Sequence, residues 1–224
     1  MKVNADFGER AMVRASQSDW IASPMPGVER KMLERIGDEV ARATSIVRYV
    51  PGSSFSEHTH SGGEEFIVLE GVFQDEHADY PAGSYVRNPI GTHHVPRSDD
   101  GCTIFVKLWQ FDEHDRKQFS LDMNALNPAD RGNGTAGVEL HQYGTEIVSY
   151  EEWQAGTLVE LTDPRGVEVL VLEGTVSLDD KTFVRSDWLR LPAGNSAGLT
   201  AGLDGARLWI KRGHLDEIKV PPQA

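Results

Sequence analysis

A repeat of about one hundred residues within the chain limits the folds that this sequence can adopt. The block FIVLEG recurs as VLVLEG, NPIG recurs as LPAG, and GCTIFVK recurs as GARLWIK. Gly71 and Gly174, which close the first block in each copy, are 103 residues apart. Three blocks in the same order and at nearly the same spacing indicate a tandem duplication. A unit of this length is too long for a solenoid repeat and suits a small complete domain.

Each copy consists of short runs rich in β-branched and aromatic residues, separated by Gly, Pro, Asp and Asn. The runs are ATSIVRYV, EFIVLEGVF, GSYVRNP and CTIFVKLW in the first copy and TLVELT, VEVLVLEG, DWLRLP and ARLWIKR in the second. This pattern predicts an all-β fold of antiparallel sheets, closed as a sandwich or barrel. Residues 28–40 also fit one face of a helix, but Gly37-Asp38 is typical of a hairpin turn, so we predict strands there.

The repeat and the turn residues divide the chain into four segments. We predict an N-terminal extension over residues 1–20, a first domain over 21–125 and a second domain over 139–224. Between the domains, NPADRGNGTAG has the composition of a loop, so residues 126–138 are predicted to be a linker.

The charge and the single cysteine exclude several classes of function. The chain has 22 basic and 35 acidic residues, a formal net charge of −13, which repels phosphate backbones and anionic lipid surfaces. We therefore expect neither nucleic-acid nor membrane binding. The N-terminus lacks the apolar core of a signal peptide, no window approaches the roughly 18 apolar residues of a membrane span, and Cys102 is the only cysteine. These features predict a cytoplasmic protein, with Cys102 as a small buried residue.

The stretch EHTHSGGEE, residues 57–65, concentrates groups that bind metals. In a strand, side chains two residues apart share a face, so His58 and His60 point the same way. The Ser-Gly-Gly turn then brings either Glu64 or Glu65 beside the imidazoles. One of the two histidines at 93–94 is the natural donor of a fourth ligand. Imidazoles and carboxylates are ligands of divalent transition metals, so the sequence predicts a metal site.

Two separated motifs in the first copy resemble those of the cupin superfamily. The first cupin motif, G(x)5HxH(x)3-4E(x)6G, is matched by Gly52, His58, His60, Glu64 and Gly71. The second, G(x)5PxG(x)2H(x)3N, is matched by Gly83, Pro89, Gly91 and His94, with Ser98 in place of the final Asn. Nine positions at fixed offsets make this resemblance far more specific than the HxH pair alone.

The resemblance implies a ligand set and an architecture. It carries the metal-ligand role onto His58, His60, Glu64 and His94, and so selects Glu64 over Glu65 and His94 over His93. It implies two tandem double-stranded β-helix, or jelly-roll, barrels with one divalent metal in the first. For that metal we favour zinc, with iron, manganese or nickel as alternatives.

The second copy lacks the ligand set. Aligning the repeated blocks places Leu161, Asp163, Val167 and Ala197 at the positions of His58, His60, Glu64 and His94. One carboxylate among apolar residues cannot hold a transition metal, so the second domain is predicted to be metal-free and structural.

Residues 20–111 resemble the cupin-like domain of ChrR-type anti-sigma factors. The segments that carry this resemblance include PMPGVERKMLER and EVARATSIVRYVPGSSFSEHTHSGGEEFIVLEGVFQDE. In that family a separate N-terminal helical zinc domain holds an extracytoplasmic-function sigma factor inactive until oxidative stress. Here only about 20 residues precede the matching region, with no Cys or His before His58. We therefore do not expect anti-sigma activity by that route.

The resemblance leaves two main functions open, with a purely structural metal-stabilised domain ranked last. The first is a metal-binding regulator or stress sensor of the ChrR type, acting through a sigma factor or another regulatory protein. The alternative is a metal-dependent dioxygenase with iron, manganese or nickel and a small-molecule ligand. By analogy with cupin barrels that bury an edge strand, we expect a homodimer.

The remaining polar residues receive plainer interpretations. We expect the other histidines to be solvated, and Glu151 and Glu152 to form a charged edge. Three residues could line the pocket or form cross-strand pairs: Arg48, Tyr85 and Arg87. The solvated histidines are His77, His114, His141 and His214.

Overall fold

The computed structural model describes residues 1–222, and they form two compact units. Unit 1 contains residues 1–5, 19–125 and 219–222, and unit 2 contains residues 6–18 and 126–218. The fold is all-β, as predicted. The only helical segments in the described part of the chain are two short 3-10 turns, Ala15–Gln17 and Met123–Ala125. None of the described helical segments has the length and apolarity needed to cross a bilayer.

Strands are numbered in chain order. The first fourteen are β1 (Lys2–Val3), β2 (Ala11–Val13), β3 (Ile21–Ala22), β4 (Val28–Gly37), β5 (Ala41–Tyr49), β6 (Ser53–Ser54), β7 (His58–Thr59), β8 (Glu64–Gln74), β9 (Asp79–Pro81), β10 (Ser84–Asn88), β11 (His93–His94), β12 (Arg97–Ser98), β13 (Cys102–Leu108) and β14 (Phe119–Asp122). The others are β15 (Ala129–Gly132), β16 (Thr135–Tyr143), β17 (Glu146–Trp153), β18 (Leu158–Thr162), β19 (Val167–Leu178), β20 (Lys181–Phe183), β21 (Trp188–Leu191) and β22 (Ser196–Arg212).

The two units share one strand order, which is the structural form of the sequence repeat. The main sheet of unit 1 runs β1-β4-β5-β13-β8-β10-β14, and that of unit 2 runs β15-β16-β17-β22-β19-β21-β2. The last strand of each sheet differs in origin. In unit 1 it follows the other strands in sequence, whereas in unit 2 it is β2, from the beginning of the chain.

Two predicted segment boundaries differ from what is observed. The predicted N-terminal extension, 1–20, provides β1 to unit 1 and β2 to unit 2. The predicted linker, 126–138, contains β15 and the start of β16, which pair as a hairpin. Asn133 lies at φ 52° between two glycines with positive φ, so the turn residues that suggested a linker form a hairpin turn. The predicted second domain, 139–224, extends two residues beyond the described part of the chain.

Residues 28–37 form a strand, as predicted, and residues 38–40 form the turn that follows it. β4 and β5 form an antiparallel hairpin, and Gly37 next to its turn has φ 116°, a conformation suited to glycine. Closed barrels, in contrast, are not found among the strand pairings of residues 1–222. β7 and β11 form a two-stranded ribbon separate from the main sheet of unit 1, so hydrogen bonding does not continue around the unit.

Each unit has its own apolar core. Cys102 is buried in the core of unit 1, and burial raises the pKa of its thiol to about 11, as expected of a small packing residue. The core of unit 1 consists of Val28, Tyr49, Phe66, Val68, Phe73, Val86, Cys102, Ile104 and Val106. The core of unit 2 is larger and includes Trp153, Leu161, Val167, Val169, Val171, Phe183, Leu189, Ala197, Leu199, Leu208 and Ile210.

The repeated glycines allow a close approach between two strands, and this can be tested in unit 2. Gly174 has φ 68°, and a Cβ there would collide with the carbonyl oxygen of Gly205. Gly194 has φ 71°, but a Cβ there would meet nothing within 4 Å. Both alanine variants carry the left-handed strain of about 1–2 kcal/mol, but only Gly174→Ala must also displace backbone. We expect the larger fall in melting temperature for Gly174→Ala by calorimetry, and equal falls would contradict the close approach.

Candidate metal centre

Four side chains of the first copy converge at one point of unit 1. His58 and His94 are directly opposite each other in the β7–β11 ribbon, and His60 follows β7 on the same face as His58. Glu64 is the first residue of β8. One donor atom from each of these four side chains lies within 4.8 Å of the others. The structure thus brings together all four residues that the motifs select.

Hydrogen bonds at Nδ1 fix the orientation of two of the imidazoles. Nδ1 of His94 lies 3.2 Å from Oδ2 of Asp75, and Nδ1 of His58 lies 3.2 Å from the carbonyl oxygen of Ser56. A carboxylate and a carbonyl oxygen both accept, so in each pair the imidazole Nδ1–H donates. Nε2 of both rings is then left with a lone pair, which is the form that binds a metal.

The third imidazole is oriented in the same way. Nδ1 of His60 lies 2.8 Å from Oγ1 of Thr92, and that hydroxyl donates its own hydrogen to the carbonyl oxygen of Pro89 at 2.7 Å. The hydroxyl oxygen must therefore accept from Nδ1–H of His60. All three histidines consequently have Nε2 available as a ligand atom.

The environment of the donor atoms fits a metal cation. Nε2 of His60 and Nε2 of His94 are buried without a hydrogen-bond partner. They lie 3.4 and 3.5 Å from Oε1 of Glu64, which also accepts a 3.4 Å hydrogen bond from Asn88. Buried polar atoms without partners are costly, and a cation bound between them would satisfy all of them. Three imidazole nitrogens and one carboxylate oxygen suit zinc, iron, manganese or nickel.

The three inner groups titrate differently. Burial lowers the pKa of His60 to about 4, so this ring is neutral at physiological pH. Burial also acts to lower the pKa of His94, but the hydrogen bond to Asp75 and the charge of Glu64 outweigh it, and the pKa is raised. The pKa of Asp75 is lowered, because hydrogen bonds from His94 and two backbone amides outweigh burial. A metal must therefore compete with a proton at His94, which makes binding weaker at acidic pH.

A cavity of about 500 Å³ opens beside the four donors within unit 1. This volume lies within the range of about 300–1,000 Å³ that is typical of small-molecule sites. Its walls are largely apolar and include Val28, Val47, Tyr49, Phe55, Phe73, Ile104, Val106, Leu108 and Trp109.

Glu65 does not line this cavity, and neither do the three residues that the sequence left open as lining residues: Arg48, Tyr85 and Arg87. Glu65 is buried on the other face of β8, where its Oε2 accepts from the Tyr85 hydroxyl and from Nη1 of Arg87, both at 2.8 Å. Arg87 also donates to Asp115 at 2.7 Å. Arg48 instead pairs with the partly exposed Glu29. These residues form cross-strand and buried polar pairs, which is one of the two alternatives left open by the sequence.

In unit 2 the corresponding positions are part of the apolar core. Leu161 is opposite Ala197, as His58 is opposite His94 in unit 1. Leu161, Ala197 and Val167 are all buried in that core. Asp163 instead accepts from the backbone N–H of Arg165. These four positions therefore lack a metal-binding donor set, in agreement with the sequence.

Two predictions about solvated histidines are wrong. His77 and His114 are exposed, but His141 is buried and the side chain of His214 is only 5% exposed. His214 lies 3.2 Å from Glu168 inside unit 2. The buried Glu151, predicted to be on a charged edge, accepts from Arg212 and the Trp153 indole. Polar neighbours in sequence suggested exposure for His141, His214 and Glu151. Each of these side chains instead faces inward and interacts with a buried or partly buried group.

Sequence reasoning did not identify the residues that orient the imidazoles. Ser56 acts through its backbone carbonyl, so its side chain carries no signal. Asp75 is 19 residues from His94 in sequence and lies in the polar stretch QDEHAD. Of the three residues, only Thr92 lies within the second motif, two residues before His94, so its position in the sequence is a signal for a role beside the ligands.

The ligand assignment predicts the metal content of single variants. We expect His58→Ala or His94→Ala to lose most of the bound metal while the fold survives, because each removes one of four donors. Elemental analysis of the purified proteins measures this, with the exposed His77→Ala as matched control. Full metal content in both site variants would refute the assignment.

The hydrogen bond between His94 and Asp75 predicts that a change at Asp75 weakens metal binding less than the loss of a ligand does. We expect Asp75→Asn to weaken metal binding by about 10–100-fold, the usual effect of removing a carboxylate behind a histidine ligand. Competition with a chromophoric chelator measures the affinity. Asp79→Asn, on the exposed strand β9, is the control, and equal affinities for the two variants would contradict the role of Asp75.

Comparisons with known proteins support the fold and the family. Residues 8–112 match the family model described as the ChrR cupin-like domain. Among curated proteins, no sequence match is found. Similar solved structures include a candidate dioxygenase from Nostoc punctiforme, at 17% identity and TM-score 0.75, covering 97% of this chain and 87% of that one.

Two further similar structures are named as a nickel(II) complex and as a decarboxylase. A bacterial pirin from Escherichia coli in complex with nickel(II) has 14% identity and TM-score 0.66, with 92% of this chain and 99% of that chain covered. A mutant oxalate decarboxylase from Bacillus subtilis has 9% identity and TM-score 0.65, with 98% and 80% covered. Residues 8–112 thus resemble the ChrR cupin-like family, and nearly the whole chain shares its fold with these solved structures.

Proposed function

We propose that this chain is a metal-dependent cupin enzyme of the dioxygenase class, with its active site in unit 1. The observation that carries the proposal is the cavity of about 500 Å³ beside His58, His60, Glu64 and His94. A purely structural zinc site needs no such space, because its four ligands close the coordination sphere. A cavity of this size beside the donors is suited to a small organic substrate.

The residues of unit 1 would have three separate roles in such a site: holding the metal, orienting its ligands and binding the substrate. His58, His60, Glu64 and His94 would hold the ion, and iron, manganese or nickel bound there would supply Lewis-acid and redox chemistry to a substrate. Asp75, Thr92 and the Ser56 carbonyl keep the imidazole lone pairs aimed at one point. The apolar walls bind the body of the substrate and exclude water.

The comparisons support this choice without establishing it. The similar structures include proteins named as a candidate dioxygenase, a nickel(II) complex of pirin and an oxalate decarboxylase. We further propose that each unit is a jelly-roll barrel, with unit 1 catalytic and unit 2 a structural copy whose core occupies the former site.

A coordination test distinguishes this function from a closed zinc site. Protein purified without added metal is expected to contain close to one iron, manganese or nickel ion per chain. After replacement of the metal by cobalt(II), azide is expected to change the visible spectrum, because an open position beside the ion accepts it. Zinc alone, together with no response to azide, would refute the proposal.

A variant that fills the cavity separates metal binding from substrate binding. Val47→Phe adds volume to the cavity wall and touches none of the four donors. We expect it to keep its metal but to lose oxygen uptake with any organic compound that the wild-type protein oxidises. Val184→Phe, at a partly exposed position in unit 2, is the control.

The second candidate is a regulator of the ChrR type, and the family match over residues 8–112 favours it. The metal-bound unit would then respond to an oxidant or small ligand and change a surface bound by a sigma factor or other regulatory protein, with the chain as a homodimer. A regulator would react with its signal at most once per protein molecule, whereas an enzyme converts many substrate molecules. More moles of oxidised product than of protein would therefore identify an enzyme.

A further inference from the structure

Two arginines line the same cavity as the candidate metal ligands. Arg30 lies on β4, opposite Val47 of β5, and both side chains line the cavity. Nε of Arg30 is buried and has no hydrogen-bond partner. Among the described residues, Arg30 makes no ion pair. A guanidinium in this position therefore presents its charge to the cavity without a counterion.

Arg35 is the second arginine that lines the cavity. Arg35 is 3% exposed, and its Nη2 donates to the backbone carbonyls of Asp38 and Glu39. These are dipoles, not charges, and within residues 1–222 its guanidinium forms no ion pair with a carboxylate. Burial and then the charge of Arg30 lower the pKa of Arg35, while the exposed Asp38 opposes them. Two like charges thus interact in one cavity.

An anion in the cavity would give the buried Nε of Arg30 the partner that it lacks. Buried or half-buried cations are normally paired, and removing a charge from water without a partner is costly. Glu39 lines the cavity and Glu64 lies among the metal donors, but neither carboxylate forms an ion pair with the two arginines. The cavity lining thus carries two positive and two negative formal charges in a chain of net charge −13, and a divalent metal at the four donors would make the cavity net positive.

We infer that the cavity binds a small organic acid whose carboxylate pairs with Arg30, assisted by Arg35. Its apolar body lies against Val47 and Ile104, and its other end faces the four metal donors. This inference rests on the proposed function and names its substrate class. A planar guanidinium matches a carboxylate through two parallel hydrogen bonds. The predominantly apolar walls favour a monoanion with a hydrocarbon body over a polar, multiply charged ligand.

The experiment compares an acid with its neutral amide. Isothermal titration calorimetry of the full metal-loaded chain with hexanoate and with hexanamide measures the preference for the charge. We expect wild type to prefer hexanoate by at least about tenfold, the usual value of a charge-assisted hydrogen bond. In Arg30→Met this preference should disappear with hexanamide binding unchanged, and Arg30→Lys should retain part of it.

Two controls make the result specific. Arg165→Met removes an exposed arginine of unit 2 and should behave as wild type. Metal content and melting temperature are measured for each variant, so that loss of the fold or of the metal is recognised. If Arg30→Met keeps its metal and still prefers hexanoate, the acid binds elsewhere. The inference then fails, and the proposed function stands. Equal binding of hexanoate and hexanamide to wild type would also overturn the inference.

Discussion

The antiparallel pairing of two short strands determines what each copy of the repeat can do. In unit 1 the pairing of β7 with β11 places His58 opposite His94, and in unit 2 the pairing of β18 with the start of β22 places Leu161 opposite Ala197. Because strand side chains alternate between faces, a shift of one residue would turn the inner side chains outward. Corresponding residues thus lie opposite each other in both units, and the side chains at a few inward positions make one a candidate metal centre and the other a core.

The difference between the copies has an energetic basis. Placing three imidazoles and a carboxylate together requires partners for their polar atoms. Unit 1 provides partners at the three Nδ1 atoms through Asp75, Thr92 and a backbone carbonyl, and leaves the buried Nε2 atoms of His60 and His94 for a cation. It also leaves a cavity where unit 2 has packed side chains. Unit 2 buries Leu161, Val167 and Ala197 in place of these groups. Apolar packing there needs no polar support and stabilises its unit without a ligand.

Most of the fold and the candidate ligands could be predicted from sequence, because both depend on local spacing. The strands follow from short apolar runs, and the choice of His58, His60, Glu64 and His94 follows from the resemblance to the two cupin motifs. What failed depended on partners distant in sequence. β2 pairs with β21, about 175 residues later, which no local pattern indicates. His141 and His214 have polar neighbours in sequence, yet their side chains face inward.

Charge links the two ends of the cavity. Three neutral imidazoles and one carboxylate only partly neutralise a divalent cation, so an occupied centre would carry a net positive charge. Arg30 and Arg35 add positive charge to the cavity wall, in a medium where interactions are stronger than in water. A cation and an unpaired guanidinium repel each other when alone. An anionic substrate between them would be attracted by both, so occupancy of the metal centre should strengthen the binding of an acid. The acidic surface of the chain opposes non-specific binding of such anions, and the cavity would remain their preferred site.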